Sequence, residues 1–207
     1  MAAFERFHQL LKRDLFPVLR ADAFKGRGNT FGRLTGERID IINVQGSRSG
    51  GKCCINLPVH FSFLPSEGSG RVTDPKKFRE YECTFRDRLH ELDESDHWWI
   101  YGADDSEAEA SIASLVALYQ RRAASFFCQF EPFPDVFERI TPAQMDSGDF
   151  SNMPTGLTGV HSALTMARIM QHLGRSEPCR AFAEVGLRHL GRAVALKAEL
   201  ERLRDTG

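Results

Sequence analysis

From Glu37 to Phe63 the chain is built for extended structure, and this stretch decides the fold class. Cys53, Ile55, Leu57, Val59, Phe61 and Phe63 fall on one side of an extended chain, and Cys54, Asn56, Pro58, His60 and Ser62 on the other. A period of two with one apolar face indicates a strand half-buried against helices. Residues 37–45 form a partner strand with apolar residues on both sides, as a central strand or a bulge near Ile41–Ile42 requires. Pro58 has no N–H to give to a ladder, which predicts an edge or a bulge at that point.

The connection Gly46-Ser-Arg-Ser-Gly-Gly51-Lys52 matches Gly-x-x-x-x-Gly-Lys, most of a phosphate-cradling loop. That chemistry needs the loop to open a helix, whose N-terminal amides and dipole hold the phosphates. Lys52 instead opens Cys53-Cys-Ile-Asn-Leu-Pro, a β-prone run, and Cys53 stands where a magnesium-binding Ser or Thr is needed. The loop reads as a hairpin turn, and no nucleotide site is assigned.

The flanking sequence supplies helices to cover these strands. Phe4, Phe7, Leu11 and Leu15 predict an amphipathic helix over residues 3–16, with a break or kink imposed by Pro17. Lys25-Gly-Arg-Gly-Asn29 is turn chemistry, and residues 30–34 a first strand. Residues 65–75 read as a loop, 83–89 as a fourth strand with Cys83, Phe85 and Leu89 inward, and 98–101 as a short fifth. One tryptophan of Trp98-Trp99 should enter the core. Residues 104–130 carry the strongest helical stripe, opening with acids that suit the helix dipole. A short helical piece is expected over 132–140, and the polar, Gly/Pro-punctuated stretch 141–156 is a candidate linker. Thr158 and Ser176 then cap two helices, the second running to about Arg204, as an antiparallel hairpin. The expected fold is α+β: an antiparallel sheet of four to five strands on an N-terminal and a long central helix, then a C-terminal helical hairpin. The expected division is a core over 1–140, a linker over 141–156 and a hairpin over 157–207, packed on the core or on a second subunit.

The chain of 207 residues is 42% hydrophobic and 27% charged, enough for an ordered core. Its net charge of −1 supplies no global attraction to nucleic acid or membrane. No apolar run approaches a membrane span, and Met-Ala-Ala-Phe-Glu-Arg lacks a signal peptide's apolar core. Five cysteines without a Cys-x-x-Cys argue for a reduced, cytoplasmic protein.

Several of these segments line up together: Leu15-Phe-Pro-Val-Leu19, Phe24-Lys-Gly-Arg-Gly-Asn-Thr-Phe31, Ile41-Ile-Asn-Val-Gln45, the strand holding Ile55-Asn56, and Cys83 with Arg86-Asp-Arg88-Leu89. In these the chain resembles the bacterial domain-of-unknown-function family numbered 4304, over roughly residues 5–130. The resemblance implies an α+β fold and a bacterial source, and carries no catalytic residue onto the chain. Gln45, Asn56, Arg86 and Arg88 are its polar positions. Gathered on an open sheet face they could hold an anionic group, with the arginines binding in bidentate fashion. The competing reading pairs the arginines with acids and spends the amides on strand ends.

Other candidates have bland readings that fit better. His90 and His97, with Asp93 or Glu94, could bind zinc, but their spacing matches no established ligand pattern, and a solvated acidic loop is the reading adopted. His60 beside Asn56 could act as a base, yet no nucleophile is positioned with it. Cys53 and Cys54 read as small strand residues, one buried and one outward, with Lys52 the only evident activator of a thiol. Residues 91–109 hold eight acids and no Lys or Arg, against nine basic and four acidic residues over 12–52. That acidic stretch could meet a basic protein partner, although helix-start carboxylates and a solvated loop explain it as well. The basic third lacks the interleaved aromatics of a nucleic-acid surface. The sequence therefore favours a non-enzymatic bacterial protein of regulatory or toxin-neutralising type, with no cofactor. It would bind another macromolecule through its open sheet face or acidic segment, and self-association is left open. The alternative is an enzyme or small-anion binder with Gln45, Asn56, His60, Arg86 and Arg88 around a cleft.

Overall fold

Strand β3 (Arg38–Gly46) is paired along both edges, and the sheet is assembled around it. A computed structural model of the chain describes residues 3–67, 70–72, 74, 77–94, 96–154, 157 and 159–206. Thr158, Pro75, the middle of the expected loop at 68–69 and the end of the expected linker at 155–156 lie outside the described residues. On one edge of β3 lies β2 (Thr30–Thr35), in register from Thr30↔Asn43 to Thr35↔Arg38. On the other lie β4 (Lys52–Asn56) and β5 (Val59–Phe61), paired from Gly46↔Cys53 to Arg38↔Phe61. Between them the Ile41 N–H donates to the Pro58 carbonyl at 2.9 Å, so the register passes the proline unchanged. Pro58 thus marks neither an edge nor a bulge; it interrupts a central strand by the single donor it cannot supply. Ser47–Gly51 is the hairpin turn, Lys52 continues as strand, and no helix opens there.

The strands β1 (Lys25–Arg27) and β6 (Trp99–Ile100) extend the sheet beyond β2 and β4. Lys25–Arg27 was expected as turn; the turn is only Gly28-Asn29, with Gly28 at φ 64°. Gly26 belongs to the strand because a Cβ there would lie 2.2 Å from the Thr30 carbonyl oxygen. The segment 83–89 runs antiparallel beside 55–59 through bridges at Val59↔Phe85 and Asn56↔Arg88. As the alternation predicts, Cys83, Phe85 and Leu89 are buried. The antiparallel sheet so formed has six strands, and the protein is α+β.

One sheet face is covered by helix. α1 (Ala3–Leu10), a π-helical stretch Leu11–Leu15 and α2 (Phe16–Ala21) run as one continuous helix, with Phe16 4.7 Å from Phe31 ring to ring. The break expected at Pro17 does not occur. The Phe16 N–H reaches back five residues to the Leu11 carbonyl, and the widened turn accommodates the proline. α3 (Asp105–Cys128) buries Ile112, Leu115, Tyr119, Ala123 and Phe126, and Tyr119 donates to Asp22 at 2.8 Å. Within this covered face Asp40 is fully buried between two arginines. Arg33 Nη2 lies 2.8 Å from its Oδ2 and Arg38 Nε 2.8 Å from its Oδ1, and Arg38 also meets the Phe127 carbonyl at 3.4 Å.

The chain forms two compact units, residues 1–127 and 128–207, so it divides after Phe127 and not near 140. Part of the expected linker is the helix α5 (Pro142–Asp146), capped by Thr141 and with Met145 buried. The second unit also contains α4 (Asp135–Glu138), α6 (Gly159–His172), α7 (Ser176–Arg188) and α8 (Lys197–Thr206). Ser176 opens α7 as its first residue rather than capping it. The helix expected to run to Arg204 stops at Arg188; Gly191, at φ 51°, helps reverse the chain, and α8 packs back on α7. There Gly186 lets the two helices approach closely, since a Cβ would lie 2.7 Å from a Leu200 methyl and push that side chain aside.

Removing one member of a buried ion triad leaves uncompensated charge. Asp40→Ala should therefore lower unfolding stability by about 3–5 kcal/mol in urea titrations. A loss below about 1 kcal/mol would show that the triad contributes nothing to folding.

Candidate functional site

The face of the sheet opposite the helices is only partly covered. Ile39 and Ile41 cluster there with Phe78 and Cys83, and the Phe78 ring lies 4.3 Å from that of His60. Further along, the same face bears a row of polar residues directly opposite one another: Thr30 on β2, Asn43 on β3, Asn56 on β4 and Arg88 on the edge segment.

Beside this row opens a cleft of about 620 Å³. Gln45, Asn56, Arg86 and Arg88 line it, so four of the five residues singled out from sequence come together. The fifth does not. His60 is fully buried beneath Phe78, with Nε2 3.1 Å from the Leu64 carbonyl and Nδ1 accepting from the Thr84 N–H at 3.3 Å. Burial pushes its imidazole pKa down to about 4, against the pull of the Leu64 carbonyl, and it has no access to a ligand. It holds down the chain leading to the cleft wall, where a turn of 3₁₀ helix (Glu80–Glu82) places Glu80 and Tyr81.

The two arginines are not equivalent. Arg88 Nη1 donates to Asp96 Oδ2 at 2.8 Å, and its guanidinium lies 5.3 Å from the centre of the Trp98 ring. The Trp98 indole N–H donates to the same Asp96 oxygen at 2.8 Å, and Lys52 Nζ approaches the ring at 4.9 Å. Burial works to raise the Asp96 pKa, but the bonds from Arg88 and Trp98 hold it below the ordinary carboxylate range. The bond to Asp96 correspondingly raises that of Arg88. Arg88 is thus held within the protein through Nη1 and the Trp98 ring, which leaves Arg86 the freer of the two. Arg86 is exposed and, among the described residues, makes no ion pair or side-chain hydrogen bond. Pro58, Glu80, Tyr81, Asp87 and Asp96 complete the lining; sequence reasoning did not single them out as site residues, and the chain that carries the last four wraps over the face after β5.

The remaining candidates resolve into local contacts. Cys53 and Cys54 are both buried, correcting the expectation that one faces outward. Burial and the neighbouring Cys54 push the Cys53 thiol up to about 12, and burial also raises Cys54, so neither is an activated nucleophile. His97 Nδ1 pairs with Glu94 at 2.7 Å, while His90 Nδ1 lies 2.6 Å from the Glu91 carbonyl. Among the described residues no group of three or more His, Cys, Asp or Glu is arranged to hold a metal.

The fold and this cleft define an α+β protein with a sheet shielded by helices on one face and presenting polar groups on the other. The chain belongs to the family described as Domain of unknown function (DUF4304), whose model matches residues 15–129, so every residue of the cleft lies within the matched region. No curated protein and no solved structure matches the chain.

The depressed pKa of His60 makes stability depend on pH. The unfolded chain binds a proton near pH 6.5 that the folded protein resists until about pH 4. This contribution is therefore complete above pH 6.5 and is lost as pH falls toward 4. Between pH 7 and 5 the wild type should lose about 1–2 kcal/mol more than His60→Gln in urea midpoint measurements. Identical pH slopes would show that His60 is not held neutral.

Proposed function

We propose that the protein acts without catalysis, by binding another macromolecule through the cleft on its open sheet face. The observation that carries this reading is the convergence of Gln45, Asn56, Arg86 and Tyr81 on one open cleft, with the Arg86 charge left unspent. An open depression shields little of a small ligand, and it suits a partner that extends beyond it.

The acidic stretch 91–109 fits the role less well. Glu91 pairs with Arg121, Glu94 with His97, Asp96 with Arg88, Asp105 with Arg6 and Glu109 with Arg13. Asp104 and Glu107 accept backbone N–H groups at the start of α3. Seven of the eight acids thus have internal partners, which leaves little charge for a basic protein to recognise. A regulatory or toxin-neutralising protein of the bacterial cytoplasm is the setting we infer. All five cysteines are free thiols, as a reducing compartment allows, and among the described residues no helix is long and apolar enough to cross a membrane.

The test is a photo-crosslinking amino acid placed at Tyr81, at Leu92 in the acidic stretch, or at Val194 in the second unit, all exposed positions. In cells of the native host, position 81 should capture a discrete partner that Arg86→Glu reduces at least tenfold, while positions 92 and 194 capture little. Capture at 92 and not at 81 would return the acidic stretch as the binding surface.

A further inference from the structure

The hydrogen bonds beneath the cleft dictate which groups it offers. The Asn29 carbonyl can only accept, so the Asn43 side chain must turn its NH₂ toward it, 3.4 Å away, and toward Thr30 Oγ1 at 2.9 Å. Asn43 Oδ1 then faces Asn56, whose Nδ2 donates to it at 3.1 Å. The same NH₂ gives its second hydrogen to Gln45 Oε1 at 2.9 Å. Each amide orientation follows from the one before, starting at a main-chain carbonyl that cannot be flipped. Both Asn56 hydrogens are spent. What remains for a ligand is one acceptor, Asn56 Oδ1, beside the NH₂ donor of Gln45.

An acceptor next to a donor complements the N–H and C=O of a single extended residue, which point to the same side of the chain. The charges around this pair are of both signs. Arg86 supplies an unspent cation, and Glu80 has no ion pair or side-chain hydrogen bond among the described residues. Asp87 accepts the Arg88 backbone N–H at 2.8 Å and lies 3.7 Å from His90. Three carboxylates in the lining, Glu80, Asp87 and Asp96, oppose a polyanion such as nucleic acid. The Asp87 carboxylate also occupies the Arg88 N–H of the edge segment, a donor that an added strand would need. Recognition therefore falls to side chains on the sheet face.

Resting on the reading above, we infer that the cleft holds an extended, mixed-charge peptide segment of a partner protein. Its main-chain amides pair with Asn56 and Gln45, an acidic side chain meets Arg86, and a basic one meets Glu80. Gln45 and Asn56 supply affinity independent of sequence, while Arg86 and Glu80 select for charge order.

Arrays of synthetic twelve-residue peptides of alternating-charge, all-acidic and all-basic composition provide the test, with fluorescence anisotropy on the strongest binder. The alternating-charge peptides should bind in preference. Gln45→Ala and Asn56→Ala should each weaken binding about tenfold across peptides, and N-methylation of a central peptide amide should do the same. Arg86→Glu, an exposed change that leaves folding intact, should move the preference to all-basic peptides. Binding that favours all-acidic peptides or a single-stranded oligonucleotide would overturn the inference, as would indifference to both amide substitutions or no peptide binding at all. A partner crosslinked at position 81 without peptide binding would sink this inference and leave the broader reading standing; failure at both would sink the two together.

Discussion

Asp40 holds two arginines against an otherwise apolar sheet face, and that arrangement exists in one strand register only. Arg33 on β2 lies directly opposite Asp40 on β3, and Arg38 lies two residues away on the same face. A one-residue slip of β2 against β3 would carry Arg33 to the other face and leave Asp40 buried with half its partners. The same register sets Thr30 opposite Asn43 on the open face, and Asn43 opposite Asn56 in turn. The amide row and the ion triad are two faces of one alignment. The cleft is positioned by a charge cluster it never touches.

The surface of the first unit follows a consistent economy of charge. Acids crowd the stretch 91–109, yet nearly all are consumed by bonds to the N-terminal helix, to the start of α3 or to neighbouring side chains. Exposed pairs of this kind contribute little to stability individually. Their effect is to cancel what would otherwise be a field over the cleft. Against that quiet background the unpaired Arg86 and Glu80 stand out as the groups able to discriminate among ligands.

Much of this was readable from the residues. The alternation around β3 and β4 indicated the sheet, the acid-led stripe indicated α3, and the family resemblance grouped Gln45, Asn56, Arg86 and Arg88, which the cleft brings together. The failures share a cause: each depended on chain distant in sequence. His60 has the parity of Asn56, but Phe78, eighteen positions on, closes over it. Pro58 obeys the local rule against central strands by losing one bond, because pairing on both sides holds it in place. Lys25–Arg27 carries turn residues, yet Gly26 serves close approach between backbones. Arg86 and Arg88 look alike in sequence; only the fold of 96–98 shows that one is occupied.

The π-helical stretch Leu11–Leu15 carries a consequence for the ancestry of this helix. Phe7, Leu11, Leu15 and Leu19 are all buried at a uniform spacing of four, which in a pure α-helix would drift by about 40° per step and wander off the sheet. The wide turn absorbs that drift. It behaves as a stored one-residue insertion: excising a single residue there would restore ordinary winding and leave Phe7 and Leu19 on the same side of the helix. Excising a residue from α2 instead would rotate everything upstream by about 100°, swing Phe7 and Leu10 out of the core and take Arg6 from the Gly102 carbonyl it now grips at 2.8 Å. The stretch Leu11–Leu15 is therefore the place where this helix can shorten by one residue, whereas the turns of α2 cannot.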